Sequence, residues 1–154
     1  MNFDGSFVAQ DGKAGAGVIA RDSQGHVIFT AWRVLFRCQS EEEAEARACL
    51  ESFRLAAQWA QGSIIVETDC ARVANARQAK EDRSLLCFIL SEARHHARLL
   101  VEWRIAKVMR ECNSVAHEFA ALARRNTHSA VWIGQAPACV LDLVRNECNL
   151  SAKQ

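Results

Sequence analysis

The chain has 154 residues, half of them hydrophobic and 24% charged, which is the length and composition of one globular domain and excludes a disordered chain. Its 19 Lys and Arg residues nearly balance its 18 Asp and Glu residues, which excludes a protein that binds nucleic acid through a strong overall positive charge. Any nucleic-acid surface must therefore be local.

Seven cysteines are scattered along the chain, and none of them forms a Cys-x-x-Cys pair. Structural zinc sites and disulfide frameworks need close or paired spacing, so we expect free thiols in a reducing compartment. No apolar run is long enough to span a bilayer, and the first residues carry no signal-like stretch. The sequence thus predicts a cytoplasmic or nuclear protein with no membrane partner. A targeting segment that has been trimmed away is the open alternative.

The first third of the chain predicts an antiparallel meander. Apolar and small residues indicate three strands, over residues 3–9, 15–21 and 26–32. Turn signals at Asp11-Gly12 and at residues 22–25 separate these strands.

The pattern then changes to helical spacing. Ser40 and Glu43 form a capping box, in which each side chain accepts from the other residue's amide, and the helix is predicted to end near Gln61 with Gly62 as its cap. A buried strand over residues 63–67 follows.

The second half predicts further alternation of helices and strands. Its elements are a short helix after Asp69, a helix from Ser84 to Arg98, a strand over residues 99–108, and a helix from the N-cap Asn113 to Arg125. Together they predict an α/β domain with a mixed sheet over residues 1–125.

Residues 126–154 form a C-terminal tail that contains the only proline, Pro137. Apolar residues between Val131 and Cys148, including Trp132, suit a short amphipathic helix that docks on the domain. They also suit a surface that binds a protein partner.

Three acidic residues are harder to explain by ordinary structural roles than the others. Glu45 lies on a helix face whose other members are small or apolar, namely Ala48, Cys49, Ser52, Phe53 and Ala56. A carboxylate there is costly unless a cation or a donor meets it. The alternative is that Glu45 lies at the rim of this face and reaches water.

The other two acids are associated with strands. Asp69 closes a buried strand, and ligands bind at the carboxyl ends of strands in α/β sheets; the alternative is that Asp69 is only an N-cap. Asp4 lies within the first strand, where Asp is disfavoured, and Gly5 after it permits close approach of a ligand. Its alternative is an exposed residue of an edge strand.

Five stretches of the sequence, in this order and with these separations, resemble the ribonuclease H family. The resemblance is strongest to plant ribonuclease H-like domains related to reverse-transcriptase elements. The stretches are Asn2-Phe3-Asp4-Gly5-Ser6-Phe7, Ala14-Gly15-Ala16-Gly17-Val18-Ile19-Ala20-Arg21-Asp22, Ala44-Glu45-Ala46-Arg47-Ala48, Val66-Glu67-Thr68-Asp69-Cys70 and Asn113-Ser114-Val115-Ala116-His117-Glu118-Phe119-Ala120.

The resemblance implies a five-stranded mixed sheet, with the first three strands antiparallel, flanked by helices. It implies that Asp4, Glu45 and Asp69 bind two Mg²⁺ or Mn²⁺ ions, which prefer hard oxygen ligands. The implied activity is that of an endoribonuclease that cleaves the RNA strand of an RNA–DNA hybrid. The candidate catalytic residues are Asp4, Glu45, Asp69 and His117, and the candidate substrate-binding residues are Gly5, Ser6 and Asn113.

The sequence departs from many active members of this family. His117 stands where they have a fourth carboxylate; it is interpreted either as a group that moves a proton or assists product departure, or as a helix-face residue bonded to water. The basic protrusion that some members use to grip hybrids is absent, and Glu41 and Glu42 would repel phosphates. These departures favour an alternative function, a weak or inactive module of this fold that binds nucleic acid or a protein partner.

Overall fold

The computed structural model of the protein describes residues 1–75 and 85–151, the last four of them by their backbone alone. Its sheet consists of β1 Asn2–Phe7, β2 Lys13–Arg21, β3 Val27–Arg37, β4 Ser63–Thr68, β5 Glu102–Lys107 and β6 Ala130–Ile133. The α-helices are α1 Glu41–Trp59, α2 Ala71–Ala74, α3 Leu85–Ala97, α4 Ser114–Asn126 and α5 Leu141–Ser151. Short 3-10 turns at Arg110–Asn113 and Ala138–Val140 precede α4 and α5.

The six strands form one mixed sheet in the order β5-β4-β1-β2-β3-β6. The predicted antiparallel meander is confirmed, because β1 pairs with β2 and β2 with β3 in antiparallel register. β4 runs parallel to both β1 and β5. β1 is therefore an interior strand, and its carboxyl end points to the same edge of the sheet as that of β4.

Strand β2 is built from small residues because helices pack on both of its faces. Residues Ala14 to Ala20 are buried, and α1 and α4 both contact the strand. A Cβ atom placed on Gly17 would lie 2.0 Å from the carbonyl oxygen of Ala116 in α4. The glycine thus allows α4 to lie directly against the strand backbone.

The core of the described residues consists of a larger cluster, a smaller one, and a third whose buried members are Ala14, Cys38 and Ala44. The larger cluster includes Phe3, Phe29, Phe53, Val66 and Ile89, and it contains residues of the sheet, α1 and α3. The predicted small, apolar face around Glu45 is confirmed, because all five of its predicted members are buried. The smaller cluster joins Ile19 and Trp32 of the sheet to α4 and to Val140 and Val144 of the tail.

The prediction of five strands is wrong, because the tail supplies a sixth. Residues 131–133 were expected in a docked helix, but together with Ala130 they pair antiparallel with β3. These residues are mostly β-formers, and β3 offers a free edge of backbone donors and acceptors that a further strand satisfies. The ring centroids of Trp32 and Trp132 are 4.5 Å apart, and this aromatic contact stabilises the pairing of β6 with β3. A tail helix does form, but only from Leu141 onward.

Some predicted boundaries and caps also differ. Helix α1 ends at Trp59 with Ala60 as its cap, while Gly62 has a φ of +81° two residues later. In the capping box, Ser40 Oγ accepts from Glu43 N at 3.1 Å as predicted, but the Glu43 carboxylate accepts from Gln39 N instead of Ser40 N. The predicted start of α3 at Ser84 lies outside the described residues.

Two predicted absences can be checked over the described part of the chain. The cysteines whose side chains are described, which excludes Cys148, are all free thiols. None of the helices seen in residues 1–75 and 85–151 has the length and apolar character needed to cross a membrane.

Substitution of Gly17 tests the close packing of α4 on β2. We expect Gly17→Ala to lower the free energy of unfolding by about 3 kcal/mol, because its Cβ would overlap a carbonyl oxygen. Gly134→Ala is the control, since nothing lies within 4 Å of its Cβ position and its φ of +70° costs only about 1 kcal/mol. Urea unfolding followed by circular dichroism measures both losses. Equal losses of unfolding free energy in the two variants would show that the packing of α4 on β2 does not require a glycine at position 17.

Candidate functional site

Three acidic side chains meet at one edge of the sheet. Asp4 comes from β1, Glu45 from the first turns of α1, and Asp69 from the residue that follows β4. One carboxylate oxygen of each lies within 4.8 Å of the others. The structure therefore brings together three residues that lie up to 65 positions apart in the chain.

Gly5 allows Glu45 to reach this position. A Cβ atom on Gly5 would lie 2.7 Å from the backbone C and O atoms of Ala44, so α1 packs against the bare backbone of β1. Gly5 N donates to Glu45 Oε2 at 3.3 Å. Gly5 was expected to permit close approach of a ligand, whereas in the structure its close neighbour is α1.

Burial makes the cluster electrostatically costly. Asp4 is 3% exposed and Glu45 is 8% exposed. Loss of solvation raises the pKa of Glu45 to about 10, and the neighbouring charges of Asp4 and Asp69 add to the rise. Loss of solvation also raises the pKa of Asp4, partly offset by its hydrogen bonds to Glu45 and His117. The alternatives of a rim position for Glu45 and an exposed edge for Asp4 are both wrong.

The donor set fits a divalent cation. Carboxylate oxygens are the ligands that Mg²⁺ and Mn²⁺ prefer, and two ligands of one Mg²⁺ ion lie up to about 4.2 Å apart when each bond is about 2.1 Å. Oxygens that already lie within 4.8 Å of one another need only small rotations to meet this limit. A bound cation would also replace the solvation that Asp4 and Glu45 lose on burial.

A hydrogen bond from Asn113 holds the Asp69 side chain in position. Asn113 Nδ2 donates to Asp69 Oδ1 at 3.3 Å and to the carbonyl oxygen of Phe3 at 2.9 Å, while Asn113 Oδ1 accepts from Asn2 Nδ2 at 3.2 Å. Asn113 is 1% exposed, so these internal bonds occupy a residue that the sequence analysis assigned to substrate. Asp69 does not cap α2, whose N-cap is Cys70.

His117 contacts the cluster from α4. Its Nδ1 atom lies 2.7 Å from Asp4 Oδ2, and its side chain is 60% exposed. The ring thus touches a carboxylate of the cluster on one side and solvent on the other. The simpler interpretation, a surface histidine bonded only to water, does not describe this contact.

A cleft of about 220 Å³ opens beside Glu45 and Asp69. Arg110 lies on its wall, with Nε donating to Asp69 Oδ2 at 3.4 Å, and Arg72 forms an ion pair with Glu42. Sequence reasoning missed both arginines. Arg110 lies three residues before Asn113, which begins one of the five stretches that resemble the ribonuclease H family. This proximity was the signal in the sequence that could have placed Arg110 near the site.

Ser6 is the remaining residue that was assigned to substrate. It is half-buried at the end of β1, and its Oγ accepts from Arg124 Nε at 2.9 Å. This bond places a polar hydroxyl and a cationic side chain together two residues beyond Asp4.

Residues 2–123 match the family described as reverse transcriptase-like. Among solved structures, the chain is similar to RNase H1 from the halophilic archaeon Halobacterium salinarum NRC-1, with 22% identity and a TM-score of 0.74 over 81% of this chain and 96% of that chain. It is also similar to the N-terminal RNase H domain of Rv2228c from Mycobacterium tuberculosis, with 20% identity and a TM-score of 0.73 over 80% and 91%.

A third similar structure is LC11-RNase H1 in complex with an RNA/DNA hybrid, with 18% identity and a TM-score of 0.71 over 82% of this chain and 96% of that chain. No match was found among curated proteins. At these identities, the solved structures establish a shared fold.

Thermal melting with and without Mn²⁺ tests whether the three acids bind metal. A cation at 100 times its Kd stabilises a protein by about 2.7 kcal/mol, which raises the melting temperature of a domain of this size by roughly 5–10 °C. We expect a rise of this order in the parent chain and none in Asp69→Asn. Asp142→Asn, which removes an exposed acid on α5, is the matched control and should keep the rise. An unchanged rise in Asp69→Asn would contradict the assignment.

Proposed function

The chain belongs to the reverse transcriptase-like family and contains a ribonuclease H-like domain, and from this membership we propose that it is a divalent-metal-dependent endoribonuclease that cleaves the RNA strand of RNA–DNA hybrids. The observation that supports the proposal most directly is the convergence of Asp4, Glu45 and Asp69. A fold alone does not determine an activity. This cluster is a chemical feature that metal-dependent phosphodiester hydrolysis needs.

In the proposed site, Asp4, Glu45 and Asp69 hold Mg²⁺ or Mn²⁺. When bound, the cations activate a water molecule and stabilise the departing 3′ oxygen of the RNA strand. The protein holds the metal-binding side chains in fixed positions. Helix α1 fixes Glu45 against β1, and Asn113 fixes Asp69 against the same strand. Fixed ligands reduce the reorganisation that the reaction would otherwise require.

We assign to His117 the movement of a proton. Its Nδ1 atom is bonded to Asp4, which orients the ring and leaves Nε2 for exchange with solvent or with the substrate. Histidine adds no negative charge to the cluster, and it is a better ligand for Mn²⁺ than for Mg²⁺. The same residue supports our proposal that the chain belongs to the plant, retroelement-related branch of the family.

We assign contact with the hybrid to polar and charged groups around the cluster. Ser6 and Arg124 together present a hydroxyl and a positive charge beyond Asp4, which suits a phosphate. Arg72 neutralises Glu42, so one of the two acids expected to repel phosphates already has a partner. The similar protein LC11-RNase H1 forms a complex with an RNA/DNA hybrid, which supports this substrate class.

The alternative is a weak or inactive module that binds nucleic acid or a protein partner. Besides the departures in the sequence, it is favoured by the position of Glu41 and Glu42, which line the same cleft as Glu45 and Asp69. Added negative charge beside the site weakens the attraction of a phosphate backbone. The cleavage experiments below separate this alternative from the proposed nuclease.

Asp69→Asn tests the nuclease directly. We expect cleavage of a fluorescent RNA–DNA hybrid in Mn²⁺ to fall by about a hundredfold or more, a loss of about 3 kcal/mol of transition-state stabilisation, because one metal ligand is removed. Circular dichroism should show an intact fold. Asp142→Asn serves again as the control and should cleave at the parent rate. If the parent chain binds Mn²⁺ but does not cleave, the inactive module is the better description.

His117→Ala tests the proton-moving role. We expect the cleavage rate to fall by about tenfold or more, while the rise in melting temperature with Mn²⁺ persists because all three acids remain. His26→Ala is the matched control, since His26 is an exposed histidine bonded to Asp22 in a turn. A rate in His117→Ala equal to that of His26→Ala would remove His117 from the mechanism.

A further inference from the structure

We propose that Glu147 on the C-terminal helix α5 is a positioning residue for the carboxylate site, because it caps helix α4 and thereby leaves Asn113 to hold Asp69. The inference rests on the proposed function, in which Asp69 is a metal ligand. It gives the tail a role in the site that nothing in its sequence indicated.

Glu147 is a buried carboxylate that contacts residues of two other elements. It is 1% exposed, although α5 lies near the end of the described chain. Its Oε1 atom accepts from Val115 N at 3.0 Å and from Ser114 Oγ at 3.2 Å, while Oε2 accepts from Arg21 Nη2 at 2.8 Å. A buried charge persists only when donors of this kind replace water.

The Val115 contact makes Glu147 the cap of α4. The helix begins at Ser114, so Val115 N belongs to the first turn, whose N–H groups have no partner within the helix. A carboxylate at this end also interacts favourably with the helix dipole. The cap therefore comes from a residue 32 positions away in the sequence.

Asn113 occupies the N-cap position but does not act as a cap. An asparagine there normally accepts from an N–H of the first turn, yet Asn113 makes no such bond. Its carboxamide points instead to Phe3 O and to Asp69. Its Oδ1 atom, which would accept the first-turn N–H, accepts from Asn2 Nδ2 instead, and Glu147 accepts from Val115 N in its place. The cap supplied by Glu147 therefore leaves Asn113 oriented toward the site.

The bonds thus form a continuous connection from the tail to the metal ligands. Glu147 fixes the start of α4, and Asn113 at that start fixes Asp69 and the Phe3 carbonyl next to Asp4. Residues that orient metal ligands typically change metal affinity by about 10- to 100-fold when they are replaced. Loss of Glu147 should therefore weaken metal binding even though it touches none of the three acids in the described contacts.

Glu147→Gln is the test variant. Glutamine is nearly isosteric with glutamate, but its side chain has only one acceptor oxygen. Because Arg21 will attract this oxygen, the NH₂ group of the glutamine will face the Val115 N–H. Two donors then oppose each other, and the cap of α4 is lost. Val144→Ala is the matched control, because it removes a buried contact of the same helix without altering Glu147. We expect the Kd for Mn²⁺, measured by electron paramagnetic resonance below the melting temperature of each variant, to rise about tenfold in Glu147→Gln and to stay unchanged in Val144→Ala.

A second measurement follows Asn113 itself. In metal-free protein labelled with ¹⁵N-asparagine, we expect the side-chain amide resonances of Asn113 to shift in Glu147→Gln and to remain in place in Val144→Ala. If Glu147→Gln does not fold, Glu147→Asp makes the same comparison, because its shorter carboxylate keeps the charge opposite Arg21 but withdraws from Val115.

Two results would overturn the inference: equal Mn²⁺ affinity in Glu147→Gln and Val144→Ala, or Asn113 resonances that do not respond to Glu147. A parent chain that binds no Mn²⁺ would reject the proposed function instead. The Asn113 resonances alone would then decide whether Glu147 sets the position of this side chain.

Discussion

The direct contact between helix α1 and strand β1 at Gly5 is the constraint on which the site depends. Any side chain at this position would meet the backbone of Ala44, and the helix would have to move away. With α1 in place, Glu45 lies beside Asp4 and both are buried. The raised pKa values of these two carboxyl groups follow from this burial.

The buried cluster of three acids reduces the stability of the metal-free protein. The surrounding residues offset only part of the free energy that is lost when the carboxylates leave water. Asn113, Arg110 and His117 each contact one of the carboxylates, yet only Asn113 is buried with them. Hydrogen bonds from exposed groups are weakened by solvent. The largest remaining gain in stability is therefore available to a cation, which supports the proposal that the cluster binds metal.

The acids of the site could be predicted from the sequence because two of them break a local rule and the third, Asp69, closes a buried strand, where ligands bind in α/β sheets. Glu45 interrupts an apolar helix face, and Asp4 lies in a strand where acids are disfavoured. The sixth strand and the roles of Asn113 and Glu147 could not be predicted in this way. Trp132 satisfies the rules for a docked helix as well as those for an edge strand, and Glu147 resembles any acid of an amphipathic helix. The sixth strand and the role of Glu147 are both determined by contacts between residues that lie 32 or more positions apart in the sequence.

The two faces of the sheet are built alike, and this similarity separates what is fixed in the site from what can vary. Gly5 admits α1 on one side, and Gly17 admits α4 on the other, both through contacts between backbones. The three acids are thus held by rigid elements, as precise ligand positions require. The groups that a substrate would meet first, among them His117, Arg110 and Glu42, are exposed side chains at the rim. In the proposed nuclease, metal binding would therefore depend on these rigid elements, whereas turnover would depend on the exposed side chains at the rim.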